Sequence, residues 1–287
     1  LKSLQDVAGL DAYWNNGGKL ENRGYEISAN VKMLHLNNFT WELGASTGHY
    51  TNKITYLPDG ESITEVYDAN VLTRVGEPAG VFYGYKTQGV FATEQQANAA
   101  ALKMKDNTGA YTFFSAGDVI FDDLNKDGII DKNDLQIIGN PNPDFYGTFS
   151  NKFSYKNLTA NILFSYSLGN DVYNYQRRML ESGSNFNNQT TAMLSRWTNE
   201  GQNTTQPRAV YGDPKGNSRF SDRWIEDGSY LRLKSVSLNY HLPLKNNFID
   251  GIDIWISAEN VFTATKYLGV DPETSVMNAV LYQGIDA

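Results

Sequence analysis

Three pairs of alternating runs constrain this chain more than any other feature of it. Tyr25, Ile27, Ala29, Val31 and Met33 take every second position, with Glu26, Ser28, Asn30 and Lys32 between them. A period of two is the signature of a strand with one apolar and one polar face. After Asn37-Asn38, Phe39, Trp41, Leu43 and Ala45 alternate with Thr40, Glu42, Gly44 and Ser46. The pattern returns as Phe145, Gly147, Phe149, Phe153 and Tyr155 against Thr148, Ser150, Lys152 and Ser154. It turns at Lys156-Asn157 and resumes as Leu158, Ala160, Ile162, Phe164 and Tyr166 against Thr159, Asn161, Ser165 and Ser167. In the third pair Val236, Leu238, Tyr240 and Leu242 oppose Ser235, Ser237, Asn239 and His241. A turn through Asn246-Asn247 and Asp250-Gly251 follows. Then Ile252, Ile254, Ile256 and Ala258 alternate with Asp253, Ser257 and Glu259, and Trp255 interrupts the polar face.

These runs predict strands near 24–36, 39–50, 145–155, 158–168, 229–242 and 252–263. The turns within each pair are short. The stretches between pairs, 51–144 and 169–228, are long and read as irregular, with one short helix candidate at 93–104. Residues 1–22 read as loop. A compact soluble domain rarely carries structureless connections of that size. A transmembrane β-barrel does, with short periplasmic turns, long extracellular loops and strands that are apolar outward and polar inward. The expected fold class is therefore all-β, an antiparallel transmembrane β-barrel. Val31, Leu43, Ile162, Phe164, Leu238 and Ile254 should face lipid. Asn30, Glu42, Asn161, Ser237 and Asp253 should face the lumen. The turns at 37–38, 156–157 and 243–251 should be periplasmic, and 51–144 and 169–228 extracellular. Aromatics are plentiful, with 18 Tyr, 14 Phe and 5 Trp. Those near strand ends (Tyr25, Phe39, Trp41, Tyr155, Tyr166, Tyr240) suit interfacial girdles. The rival is a soluble extracellular carbohydrate-binding β-module with a structural calcium. It would be a sandwich whose strands alternate around a packed inner face.

One stretch of the first long connection carries chemistry. Asp123, Asn125, Asp127, Asp131 and Asp134 fall at positions 1, 3, 5, 9 and 12 of a calcium loop of the EF-hand kind. Gly128 takes position 6, where a sharp turn is needed, and Ile129 at position 7 would offer its backbone carbonyl. Five oxygen-bearing side chains so close repel one another unless a cation sits among them. The bland alternative is an acidic, solvated turn. Position 12 is Asp rather than Glu, which weakens the case for bidentate ligation. No helix is expected to frame the loop: Val119-Ile120-Phe121 precedes it, and Gly139, Pro141 and Pro143 follow. Calcium is the cofactor this pattern predicts.

Other chemistry is not apparent. The net charge of −8 opposes a nucleic-acid partner held by charge. There is no cysteine, and His35, His49 and His241 are scattered without metal-ligand spacing. No nucleophile elbow, zinc-protease motif or phosphate loop occurs, so no enzymatic activity is expected. No apolar run reaches the length of a transmembrane helix, and the first residues lack a signal-peptide pattern. Arg196, Trp197, Arg223, Trp224 and Arg232 form a cationic, aromatic segment. It would either bind substrate or pack the loops and pair with Asp222, Glu226 and Asp227. The second reading is preferred because the charges balance locally.

Several segments resemble the SusC/RagA family of TonB-linked outer-membrane proteins of Bacteroidetes. They are GKLENRGYEISANV at 18–31, GEPAGVFYGYKTQGVF at 76–91, GDVIFDDLNKDGIIDKND at 117–134 and IIGNPNPDFYG at 137–147. RWTNE at 196–200, SDRWIEDGSYLRLKSVSLNY at 221–240 and SAENVFTATKYLGVDPE at 257–273 continue the match in the family's order. The resemblance implies the C-terminal part of a barrel of roughly 22 strands. It implies TonB-dependent import of oligosaccharides or peptides across a bacterial outer membrane. It also implies a SusD-like surface lipoprotein as partner. No plug domain, TonB box or final strand is recognised in the sequence. Six strands cannot close such a barrel, so the chain is expected to be a portion of a longer protein.

Overall fold

The computed structural model describes residues 2–3, 12–13, 17–106, 108–244, 248–273, 275–276 and 280–287. Its centre is a six-stranded antiparallel sheet. The strands are β1 (Lys19–Leu36), β2 (Phe39–Tyr56), β3 (Phe145–Tyr155), β4 (Leu158–Leu168), β5 (Tyr230–Pro243) and β6 (Gly251–Thr265). Their order across the sheet is β6-β5-β4-β3-β2-β1, so chain order and spatial order agree. That is an up-and-down wall.

Register fixes the faces, because residues paired across antiparallel strands point the same way. One row runs Val31, Leu43, Asn151, Ile162, Val236, Ala258. The adjacent row runs Lys32, Glu42, Lys152, Asn161, Ser237, Ser257. The predicted apolar and polar sets therefore separate onto opposite faces. Two details differ from the alternation. Lys32 pairs with Glu42 and Leu34 with Trp41, so Met33 is the extra residue of a β-bulge and the apolar face passes to Leu34 and Leu36. Asn151 sits in the apolar row, where its side-chain oxygen accepts from Trp41 Nε1 at 3.0 Å.

The apolar face is bare. Ile27 is 59% exposed, Ile254 57% and Ile256 69%. A soluble sandwich would bury these residues under a second sheet, and the described residues place none there. Aromatic rings mark both ends of the band. Phe39, Tyr155 and Tyr240 share one row near the short turns. The rings of Tyr25, His49 and Phe145 touch at the other end. Ten residues separate Tyr155 from Phe145, or roughly 33 Å of strand at about 3.3 Å per residue. Tilted by about 45°, that approximates the ~25 Å apolar band of outer-membrane barrels.

The short turns gather at one edge. Lys156 adopts φ 52° in its two-residue turn and donates its N–H to Asn38 O at 2.9 Å. Asn157 Nδ2 donates to His241 O at 2.9 Å. The predicted Asn246-Asn247 turn lies outside the described residues.

At the other edge, the two connections are folded. β2 continues to Tyr56 and pairs with β1 through polar partners such as Asn22 with Asn52 and Glu21 with Lys53. Beyond the apolar band a strand has no reason to alternate, which is why this part resembled loop. The same holds for Lys19–Asn22 within the stretch read as loop at 1–22. A four-stranded sheet follows, built from Glu61–Val66, Ala69–Arg74, Val81–Gly84 and Gln136–Gly139. The helix is Glu94–Ala100, shorter than 93–104, capped by the Thr93 hydroxyl and ended by Ala101 at φ 52°. Two apolar clusters hold this layer. One centres on Phe82, Tyr173, Phe220, Trp224 and Ile285, the other on Phe91, Phe114, Val119, Phe121 and Ile130. The segment after β6 joins the same layer, with Ile285–Asp286 running parallel to Tyr173–Asn174.

Candidate functional site

The acidic loop is built by two left-handed residues, Lys126 at φ 60° and Gly128 at φ 75°. They curl the backbone so that its amides face the acidic side chains. Asp123 accepts from Asp127 N (3.2 Å) and Gly128 N (2.8 Å). Asn125 Oδ1 accepts from Asp127 N at 3.2 Å, and Asn125 Nδ2 donates to Asp127 Oδ2 at 2.9 Å. Asp127 Oδ1 accepts from Ile129 N at 2.7 Å. Asp131 caps the short 3-10 turn Lys132–Asp134 through Asn133 N at 2.8 Å. Asp134 is fully buried and takes two amides, Leu124 N (2.9 Å) and Asp131 N (2.8 Å).

All six predicted positions thus lie in one compact loop, and each of the five polar side chains among them has a hydrogen-bond partner. Asp134 pins the loop's two ends together. Among the described residues, no three His, Cys, Asp or Glu side chains form a group that could hold a metal ion. Each carboxylate oxygen accepting one amide keeps a second lone pair, so the donor set is compatible with a hard cation once the side chains converge. The anchoring of the loop was not legible from its motif. Lys103 N donates to Gly128 O at 3.0 Å, Ile130 N donates to Lys103 O at 2.8 Å, and Ile130 is buried in the second apolar cluster.

The cationic, aromatic segment is structural. Trp224 is fully buried and donates Nε1 to Arg219 O at 3.1 Å. Arg223 donates to Asn217 O (2.8 Å) and Gln206 Oε1 (3.1 Å) beneath the Trp224 ring. Burial, with the nearby Arg177 charge, pushes its pKa down to about 10. Trp197 Nε1 donates to Ala92 O at 3.1 Å and Arg196 to Met193 O at 3.1 Å. The anticipated pairings with Asp222, Glu226 and Asp227 do not form. Arg177 takes Glu226 at 2.9 Å, Asp222 accepts from Thr87, and Asp227 accepts from Ser229 N. Arg232 instead reaches Asp271 (2.5 Å) and Glu273 (2.9 Å) in the segment after β6. Sequence distance hid these partners: the local charges balance, but folding brings up others. Burial also raises the Tyr173 hydroxyl to about 12, although Arg178 beside it favours the phenolate.

The polar face of the wall is the other candidate surface. Glu42 lies between Lys152 (3.7 Å) and Lys32 (4.0 Å). Nearer the loop edge Ser46 and Thr148 share a hydrogen bond of 2.8 Å, and Tyr146 OH donates to Glu26 at 2.9 Å.

No family model matches the chain. TonB-dependent receptor P3 of Formosa agariphila is 33% identical to it, over 96% of the chain and 27% of that receptor. TonB-dependent receptor SusC of Bacteroides thetaiotaomicron is 28% identical, over 95% of the chain and 25% of SusC. The chain thus spans about a quarter of the length of the curated relatives it matches. Among solved structures, the RagAB peptide transporter superposes with a TM-score of 0.76 at 20% identity, over 99% of this chain and 29% of the other. The RagAB peptide importer in its closed-closed state gives 0.73, over 99% and 30%. At that identity the likeness speaks for the fold: a section of barrel wall with its loop layer.

Proposed function

We propose, for a chain that is of the SusC/RagA type of TonB-dependent receptor over nearly its whole length, that it forms part of the wall and outer loops of an outer-membrane importer. The protein would take up oligosaccharides or peptides with energy delivered through TonB, beneath a SusD-like lipoprotein. It would perform no catalysis. The observation that carries this is the polarity of the wall: one bare apolar face, one polar face, short turns at one edge and folded connections at the other. The apolar face meets lipid, the polar face lines the solute path, and the short turns are periplasmic. Deleting TonB should abolish uptake of the substrate that this receptor serves. Uptake unchanged without TonB would defeat the reading.

Orientation gives a separate test. Protease added to intact cells should cut, if anywhere, within 57–144 or 169–229. Cleavage confined to 244–250 would invert the topology.

For the acidic loop we propose one calcium, held by Asp123, Asn125, Asp127 and Asp134 with the Ile129 carbonyl, and Asp131 direct or through water. Bound there, the ion would supply charge compensation and fix the path from Val119–Phe121 into β3. Calcium should protect 117–144 from protease in the purified receptor, and chelation should remove that protection. Asp127→Ala should weaken the effect at least several-fold. Identical digestion with and without calcium would leave the loop as an amide-satisfied turn.

A further inference from the structure

We propose that the lipid-facing surface of the wall carries, at its outer rim, a groove for one anionic lipid of the outer leaflet. The acyl chain lies against Leu231 and Ala264, and the phosphate meets Lys266. The proposal rests on the outer-membrane placement in the importer reading and concerns the outside of the barrel, not the solute path. A shallow groove of about 540 Å³ is lined by Tyr166, Leu168, Ser229, Leu231, Ala264 and Lys266. Tyr166 pairs with Leu231 and Leu231 with Ala264, in a row that continues the apolar face. Leu168, Ser229 and Lys266 each stand two residues nearer the loop edge, and alternation gives them the same face. Strands added at either edge of the wall lengthen it sideways and leave this face open.

Side-chain size makes the groove. Along the end of β6 the outward positions run Phe262, Ala264, Lys266, so one methyl group stands between two large side chains. Tyr166 leans the other way. Its hydroxyl oxygen lies 2.8 Å from where a Cβ on Gly147 would stand, which places the ring over β3. The space above Leu231 and Ala264 is thereby left open, and Leu231 is 37% exposed. In a bilayer such a notch is filled, because an uncovered apolar surface forfeits its van der Waals contacts. Lipid tails are as apolar as the groove, so shape rather than hydrophobicity holds the chain there.

Charge selects the head. Leu168 pairs with Phe145, whose ring touches His49 at the outer aromatic end of the band. Ser167 pairs with Tyr230 and Tyr230 with Thr265, so Lys266, the next residue outward, stands level with Leu168. Its ammonium therefore lies in the headgroup zone, with its stem along the groove. Among the described residues no ion pair within 4.0 Å engages Lys266. Asp227, the acid that feels its charge, is held by the Ser229 hydroxyl and by Ser229 N at 2.9 Å. In that zone the abundant anion is lipid phosphate, and one lysine near a charged surface is worth about fivefold in affinity.

The test uses the full-length receptor in detergent, with heat-modifiable migration as proof of a folded barrel. It is loaded with an equimolar mixture of dioleoylphosphatidylglycerol and dioleoylphosphatidylcholine, and retained lipid is read by native mass spectrometry. One phosphatidylglycerol should stay bound per receptor, preferred over phosphatidylcholine about fivefold. Lys266→Glu should remove that preference, and Lys266→Arg should keep it. Ala264→Trp, which fills the notch, should lower retention of both lipids about tenfold. Ile256→Trp, on the same face nearer the short turns, should leave retention unchanged. No retained lipid, equal retention of the two lipids, displacement by inorganic phosphate alone, or retention that ignores both Lys266→Glu and Ala264→Trp overturns the proposal. A lipid-free receptor dimer that Ala264→Trp dissociates also overturns it, because a second copy is then the occupant. TonB-dependent uptake, measured in parallel, tests the importer reading by itself, so the two failures are distinguishable.

Discussion

Arg208→Ala is expected to cost the loop layer about 3–5 kcal/mol, the range for breaking a buried ion pair by removing one partner. Arg208 holds Asp118 in a two-point pair, Nε to Oδ1 at 2.8 Å and Nη2 to Oδ2 at 2.9 Å. Asp118 is fully buried. Its other partners are Asn217 Nδ2 at 3.0 Å and Ser115 N at 2.9 Å. These neutral donors would remain in the variant, but the charge would be left without a counter-ion inside the layer. The reverse change, Asp118→Ala, should be milder, because the Arg208 side chain is 30% exposed and can turn to water. The pair also joins the two long connections, since Asp118 lies in the first and Arg208 in the second. The expected readout is faster protease cleavage in 57–144 and 169–229, with the barrel still heat-modifiable. A double variant, Arg208→Ala with Asp118→Ala, should lose less than the sum of the two. Cleavage in Arg208→Ala no faster than in the unaltered receptor would show that the pair contributes no net stability.

This pair also marks the limit of what the sequence discloses. The wall was legible because a lipid-facing strand has one physical demand, an apolar side chain at every second position, and short turns keep its partners adjacent. Strand borders were legible only as far as that demand extends. β1 and β2 project past it through Asn22, Asn52 and Lys53, where polar residues on both faces resemble loop. Within the connections the strands are three to six residues long, too short for a period to declare itself. Some pair locally, as Glu61–Val66 does with Ala69–Arg74, but other partners are remote: Tyr85 pairs with Ser221, and Tyr173 with Ile285. The acidic loop could be read from its spacing, because curling a chain around a centre needs Gly128 and alternating oxygens. What spacing could not reveal is that Asp134 also accepts from Leu124 N and Asp131 N, closing the loop on itself. Asn151 was missed for a further reason. Alternation places it on the apolar face, but only register brings Trp41 Nε1 to its side-chain oxygen.

Ile162→Arg is expected to destabilise the barrel by about 2–4 kcal/mol, while Asn161→Arg, one residue away, should change stability by no more than about 0.5 kcal/mol. The argument rests on depth and face. Ile162 lies four residues beyond Leu158, the start of β4, so roughly 13 Å of strand separates it from the short-turn edge. For a tilted strand crossing a band about 25 Å tall, that is near the middle, where a charged side chain on the lipid face costs most. Its row neighbours are Asn151 and Val236, and Asn151's side-chain oxygen is committed to Trp41, so nothing beside it can pair with a guanidinium. Asn161 faces the other way. Its neighbours are Lys152 and Ser237, with Glu42 one strand further, in a row that already carries charge. An arginine there stays hydrated and close to a carboxylate. Urea unfolding of the receptor in lipid vesicles measures both variants on one scale. Equal losses at the two positions would mean that the apolar face does not meet lipid, and a larger loss at 161 would mean that the wall's assigned inside and outside have to be exchanged.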